Sequence, residues 1–147
     1  MINKTIATFF YTGYFPLAPG TFSSLVGLIL WYLIPSLLTK LLIFPLIIIS
    51  GFYTSNKYAQ IVQKKDPSQV VIDEITGLWI TLILVELFTT PSLKLLLSGF
   101  ILFRALDIIK PYPISKLETF KGSSGIMLDD IGAGLIAGAI LIIIQSI

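Results

Sequence analysis

The sequence predicts an all-α, multi-pass membrane protein with about four to five membrane-embedded helices around a polar layer at the cytoplasmic edge. Three observations predict it. Hydrophobic residues fill 55% of the 147 positions and charged residues only 12%, against about 25% charged in an ordinary soluble domain. Mean hydropathy is +0.93, which points to a bilayer as solvent. The apolar residues also fall in uncharged runs close to membrane-helix length, separated by short polar connections. One domain over residues 1–147 accommodates all of them.

The first run, Phe22 to Leu38, and the second, Leu41 to Ser55, flank Thr39-Lys40. They read as two antiparallel helices with a minimal connection, kinked where Pro35 and Pro45 fall. At ~1.5 Å per residue both are slightly short of a ~30 Å hydrocarbon core. A third helix is expected to start at Asp66-Pro67-Ser68-Gln69, with Asp66 as cap, Pro67 at the first helical position and Gln69 at the capping-box position, and to run to about Phe88. The fourth extends from Ser92 to Ile109 and is stopped by Pro111 and Pro113. The fifth begins after Ser123-Ser124-Gly125 and continues to the C-terminus. Lys4, Lys57, Lys64, Lys65, Lys110, Lys116 and Lys121 fall on one side of these spans, and only Lys40 and Lys94 on the other. The positive-inside rule then puts the N-terminus in the cytoplasm and the C-terminus outside. The first twenty residues carry no basic, apolar and cleavage regions in succession, so no removable signal peptide is expected.

Ten Lys and Arg against eight Asp and Glu leave a net charge of +2, too slight for a nucleic-acid partner. The chain has no Cys and no His. Thiolate or phospho-His chemistry, a Ser-His-Asp triad and a Cys/His zinc site are therefore excluded. Any metal would be a hard cation held by oxygens.

The acids cluster: Asp66, Asp73 and Glu74 around the third span, Asp107 near the end of the fourth, and Asp129-Asp130 at the start of the fifth. The predicted spans bring Asp73, Glu74, Asp107, Asp129 and Asp130 to one cytoplasmic depth. Each charge well inside an apolar helix costs about 2.5–3.5 kcal/mol, so the layer needs compensation. Arg104 and Lys110 supply two positive charges, and one or two divalent cations would neutralise the remainder. The alternative is a structural Arg104–Asp107 pair, three residues apart on one helix, with the other carboxylates solvated. Before the first span, Ala18-Pro19-Gly20-Thr21 combines a tight turn, a possible Thr21 cap and free N–H groups, an anion site on the same side.

Simpler readings hold elsewhere. Glu86 is expected at the outer interface, Gly134 and Gly138 as helix-packing positions, Trp31 and Trp79 as lipid or interface anchors, and Lys57, Lys64 and Lys65 as an orienting basic face.

Four stretches, Ala18-Pro19-Gly20-Thr21, Val70 to Gly77, Phe103 to Ile114 and Gly125 to Gly134, occur in this order over most of the chain. In them the sequence resembles the phosphatidylglycerophosphatase A family, departing at Ser23, where the family usually has Gly, and at Gly122-Ser123-Ser124, where it usually has a Gly-Gly-aromatic run. The resemblance implies a Mg²⁺-dependent enzyme of the bacterial cell (inner) membrane. Its substrate would be the phospholipid phosphatidylglycerophosphate, hydrolysed to phosphatidylglycerol and phosphate. Asp73, Glu74, Asp129 and Asp130 would then be metal ligands, Asp107 a further catalytic carboxylate, and Arg104, Lys110, Gly20 and Thr21 the phosphate-binding set. Two rivals are a metal-dependent phosphatidyltransferase, whose Asp-Gly-x-x-Ala-Arg signature is missing, and a small cation transporter or channel with a carboxylate-lined site.

Overall fold

A computed structural model describes all 147 residues and contains helices but no strands. The elements are α1 (Ile2–Ala7), a 3₁₀ turn (Thr12–Tyr14), α2 (Pro19–Leu33), α3 (Leu37–Val62), α4 (Ile72–Phe88), α5 (Leu93–Ile109), α6 (Ile114–Leu117) and α7 (Ser123–Ser146). Helices α3 and α7 are long and apolar enough to cross a membrane.

Local chemistry sets most of the boundaries. Helix α2 starts with Pro19, which lacks the N–H that a first turn leaves unpaired. It ends at Leu33 because Ile34 precedes Pro35 and is held extended. Ser36 then caps α3, accepting from the Thr39 N–H at 3.4 Å. The connection is therefore Ile34–Pro35–Ser36, not Thr39-Lys40 as expected, and Pro35 ends a helix where a kink was expected. Helix α3 continues through Pro45 to Val62. Ser92 caps α5 through the Leu95 N–H at 3.2 Å, and Lys110, left-handed at φ 45°, closes it.

The start of α4 also differs from the expectation. Residues 66–71 are not helical, and Asp66 caps nothing. The Val70 N–H donates to the Pro67 carbonyl at 2.8 Å, closing a turn, and the Val71 N–H donates to the Ala7 carbonyl at 3.0 Å. These bonds to a turn and to the N-terminal segment replace the helical ones. Asp73 and Glu74 consequently lie in the first turn of α4, where unpaired N–H groups favour negative charge.

Helix α4 is the centre. Almost every residue from Ile72 to Val85 is buried, and α2, α3, α5 and α7 pack around it. Between Glu74 and Glu86 it carries no charge on any side, as befits a helix with no face to solvent. The Trp31 and Trp79 rings are 1% and 2% exposed and meet edge to face at 5.3 Å. Trp79 Nε1 donates to the Gly27 carbonyl at 3.1 Å. These tryptophans are core residues, which corrects their reading as lipid anchors. Glu86, near the far end of α4, is paired: Lys40 Nζ donates to its Oε2 at 2.7 Å and stands 4.3 Å from the centre of the Trp31 ring.

Around this core the outer surface is apolar. Leu25, Ile29 and Tyr32 on α2, Leu38, Leu42, Leu46, Ile49 and Tyr53 on α3, and Leu97 and Ile101 on α5 are all exposed. Stripes of this extent are foreign to a water-facing monomer.

The closest packing is between α4 and α7. A side chain at Gly134 would overlap the backbone carbonyl of Gly77, and one at Gly138 would press on Leu84. Thr81 Oγ1 donates to the carbonyls of both Gly77 and Gly134 at 3.1 Å. Gly134→Ala should force the helices apart and lower stability by about 1–3 kcal/mol. Thermal unfolding in detergent checks this, with Leu135→Ala on the exposed face as the comparison; equal unfolding temperatures would contradict the close crossing.

Candidate active site at one end of the bundle

The starts of α2, α4 and α7 and the end of α5 enclose a polar cavity of about 270 Å³. Its lining includes Ala18, Pro19 and Gly20 from the start of α2, Asp73 and Glu74 from α4, and Arg104 and Asp107 from α5. Lys110 follows α5, Asp129 and Asp130 come from α7, and Asp66 and Ser68 come from the preceding loop. All five carboxylates expected in one layer are therefore brought together, along with both expected cations.

The cations are unequally engaged. Lys110 Nζ donates to Asp129 Oδ2 at 2.6 Å and lies 3.4 Å from Glu118 Oε1. Burial disfavours its charge, but the hydrogen bond and negative charge of Asp129 outweigh this and raise its pKa above the ordinary lysine range. Lys110 is thus a fixed positive charge. Arg104 Nη1 lies 2.7 Å from Asp107 Oδ2 and 3.5 Å from Glu74 Oε1. These are ion pairs without hydrogen-bond alignment, since Arg104 Nε and Nη1 both lack an acceptor.

Asp73 Oδ1, Glu74 Oε2, Asp129 Oδ1 and Asp130 Oδ2 are also buried without a partner. Unmade hydrogen bonds of buried groups are costly, more so for charged ones. Unpaired donors attract an anion and unpaired carboxylate oxygens attract a hard cation, and this cavity holds both. The donor chemistry fits a divalent cation such as Mg²⁺, although no three acidic side chains are gathered at metal-ligating spacing.

Helix α2 contributes differently from the expectation. Its N-cap is Ala18, in the left-handed region at φ 49°, with no side-chain cap, so Thr21 lies inside the helix and outside the cavity lining. Gly20 is in the lining, and a Cβ there would overlap the Glu74 carboxylate. The glycine lets α2 close down on that acid. Asp66, Ser68 and Glu118 are site-region residues that the sequence reading did not assign: Asp66 and Ser68 lie on the exposed rim, and Glu118 holds Lys110. The only sequence signal for Asp66 was its place in the acid cluster, and it was absorbed there by the cap reading.

Fold and site together define an all-helical protein with two helices long and apolar enough to cross a membrane and a buried carboxylate and guanidinium centre at one end. A family model described as phosphatidylglycerophosphatase A matches residues 5–145, and the chain belongs to that family. A phosphatidylglycerophosphatase A of Escherichia coli K12 is 37% identical, over 92% of this chain and 79% of the relative. One of Haemophilus influenzae is 35% identical, over 95% of this chain and 86% of the relative. A Bacteroides thetaiotaomicron protein, named as a proposed phosphatidylinositol-3-phosphatase, is 37% identical over 88% of this chain and 85% of its own length. No solved structure matches.

Proposed function

We propose that this protein hydrolyses the terminal phosphomonoester of phosphatidylglycerophosphate, releasing phosphatidylglycerol and inorganic phosphate, with Mg²⁺ as cofactor. The observation that carries the reading is a cavity lined by Arg104 and by carboxylates whose buried nitrogen and oxygen atoms lack hydrogen-bond partners. A phosphate dianion with a divalent cation satisfies both sets at once. Family membership supplies the substrate class. The transporter reading is not favoured: the cavity occupies one end only, and α4 carries no charge between Glu74 and Glu86.

In this reading Asp73, Glu74, Asp129 and Asp130 would hold Mg²⁺, which when bound supplies Lewis acidity toward the phosphate and the attacking water. Arg104 would grip phosphoryl oxygens with its planar fork, the geometry that suits phosphate best. Asp107, three residues on, would hold that guanidinium in place. Lys110, fixed by Asp129 and Glu118, would add positive charge as negative charge accumulates on the transferring group. The surrounding apolar helices would keep bulk water out and strengthen each of these interactions.

Five crossing helices, α2, α3, α4, α5 and α7, with the cavity end in the cytoplasm, complete the proposal. It is supported by their alternating direction and by seven lysines at the cavity end against Lys40 and Lys94 at the other. Because the chain lacks Cys, single cysteines report the orientation. With an impermeant thiol reagent on intact cells, Thr90→Cys should be labelled and Lys64→Cys and Lys116→Cys should not; the reverse pattern would sink the orientation.

Purified protein should release phosphate from phosphatidylglycerophosphate with Mg²⁺ and stop when the metal is chelated. Asp129→Asn and Asp130→Asn should each abolish turnover or raise the required Mg²⁺ concentration by ~tenfold or more, since Asn keeps volume and loses the charge. Near-parent activity of both across a Mg²⁺ titration would remove the pair from the metal site.

Arg104→Lys should lower kcat/KM by on the order of 100-fold although charge is retained, because an ammonium cannot make the bidentate contact. Kinetics at equal amounts of folded protein decide it. Parent-like values would make Arg104 only a structural partner of Asp107.

A further inference from the structure

Beside the polar cavity lies a second, apolar space of about 520 Å³, within the range of sites that hold small ligands. Ile6 and Phe9 of the N-terminal segment form one wall, Leu46, Ser50 and Tyr53 of α3 form the other, and Ile72 closes it at the start of α4. We propose that this groove holds one acyl chain of the lipid whose phosphate enters the carboxylate cavity. The proposal rests on the phosphatidyl-lipid reading above and adds to it a binding site for the tail.

Four features identify the occupant. The first is composition: eight of the nine lining residues are hydrophobic, and the exception, Ser50, donates its hydroxyl back to the Ile47 carbonyl at 3.0 Å. An apolar ligand is what such walls accept. The second is continuity. Ile72 lines the groove and the next residue, Asp73, lines the cavity, so the two spaces border the same first turn of α4. The Val71 N–H to Ala7 carbonyl bond holds the N-terminal wall at this junction.

The third feature is direction. Tyr53 and Leu46 are seven residues apart on α3, about 10 Å along the helix, and Leu46 is the one nearer the Lys40–Glu86 end. The groove therefore starts at the depth of Asp73 and descends into the uncharged middle of the bundle. A tail takes that path when its phosphate lies among the carboxylates. The fourth is access: Leu46 and Tyr53 are 66% and 59% exposed, so the groove is open sideways along α3, the route by which a chain enters from the bilayer.

The test is the ratio of kcat/KM for palmitoyl-chain over hexanoyl-chain phosphatidylglycerophosphate. Ser50→Trp fills the groove and should lower this ratio by about tenfold, the size expected when an apolar site is overfilled. Leu42→Trp places the same indole side chain on α3 outside the groove and should keep the parent ratio. An unchanged ratio in Ser50→Trp, or an equal change in Leu42→Trp, overturns the proposal. So does a Ser50→Trp protein of altered oligomeric size that loses activity on both substrates together, because a second copy would then occupy the groove.

If Ser50→Trp does not fold, the parent protein decides the matter through photolabelling with phosphatidylglycerol carrying a diazirine in its tail. Adducts are expected between Leu46 and Tyr53, suppressed by unlabelled phosphatidylglycerol and not by phosphatidylcholine of the same chains. Equal suppression by both lipids would mark ordinary annular contact and overturn the proposal. Failure of the parent to release phosphate from either substrate is failure of the phosphatase reading, and the photolabelling distinguishes the two.

Discussion

Helices α4 and α7 cross with Gly134 against the Gly77 carbonyl and Gly77 close to the Asp130 carbonyl, and this approach places the carboxylates of the cavity. Both helices begin at the cavity end and run the same way. Each carries an acid pair about one turn before its crossing glycine: Asp73-Glu74 before Gly77, and Asp129-Asp130 before Gly134. The crossing thus sets the two pairs side by side at one depth. In an apolar medium no hydrophobic force drives helices together, and close approach depends on small residues and interhelical hydrogen bonds. Here the Thr81 hydroxyl, on α4, supplies one such bond to the Gly134 carbonyl of α7, and the glycines supply the space.

Grouping acids in this way has a cost, and the fold divides the compensation. Asp73 and Glu74 sit in the first turn of α4, where the helix itself offers positive potential. Asp129 is two turns into α7, too far for that effect, and is the acid that Lys110 reaches. Asp107 and Glu74 share Arg104. At the other end of α4, thirteen residues from Asp73 and so ~20 Å away, Lys40 and Glu86 form a second buried charge layer, closed by the Trp31 ring. That layer is internally neutral, one cation paired with one acid, whereas the first layer gathers more acids than cations and leaves four carboxylate oxygens without a partner. Loss of one partner of a buried pair leaves an uncompensated charge, so the Lys40–Glu86 layer is the structural one.

What could be read from the sequence follows from the range of the interactions involved. The start of the fourth helix at Ser92 and its stop at Lys110-Pro111 depend on neighbours within one turn and were legible. The convergence of Asp73, Glu74, Asp107, Asp129 and Asp130 was legible because apolar surroundings leave charges few alternatives. The break at Pro35 was misplaced because Thr39-Lys40 looked like a solvated connection, and only a partner forty-six residues away, Glu86, makes Lys40 tolerable in a helix. Asp66-Pro67-Ser68-Gln69 has every local mark of a helix start and is overridden by the Val71 to Ala7 bond. Trp31 and Trp79 illustrate the same limit. Composition alone does not separate an aromatic at the lipid boundary from one buried against another helix, and the Gly27 carbonyl that accepts from Trp79 is fifty-two residues away.

The position of the cavity follows from the substrate's mixed character as much as from the protein's. A phosphomonoester on a diacyl lipid carries its charge at one end and its apolar bulk at the other, so a site deep in the bundle would have to draw the charge through hydrocarbon. A site wholly in water would have to draw out the tails, at about 0.8 kcal/mol for each methylene exposed. The structure avoids both costs. Asp66, Ser68 and the Lys110–Glu118 pair give the cavity a polar, exposed rim, while Ile72 gives it an apolar neighbour one residue from Asp73. The polar cavity and the apolar groove border the same first turn of α4, an arrangement suited to a phosphate among the carboxylates with its chains among apolar side chains.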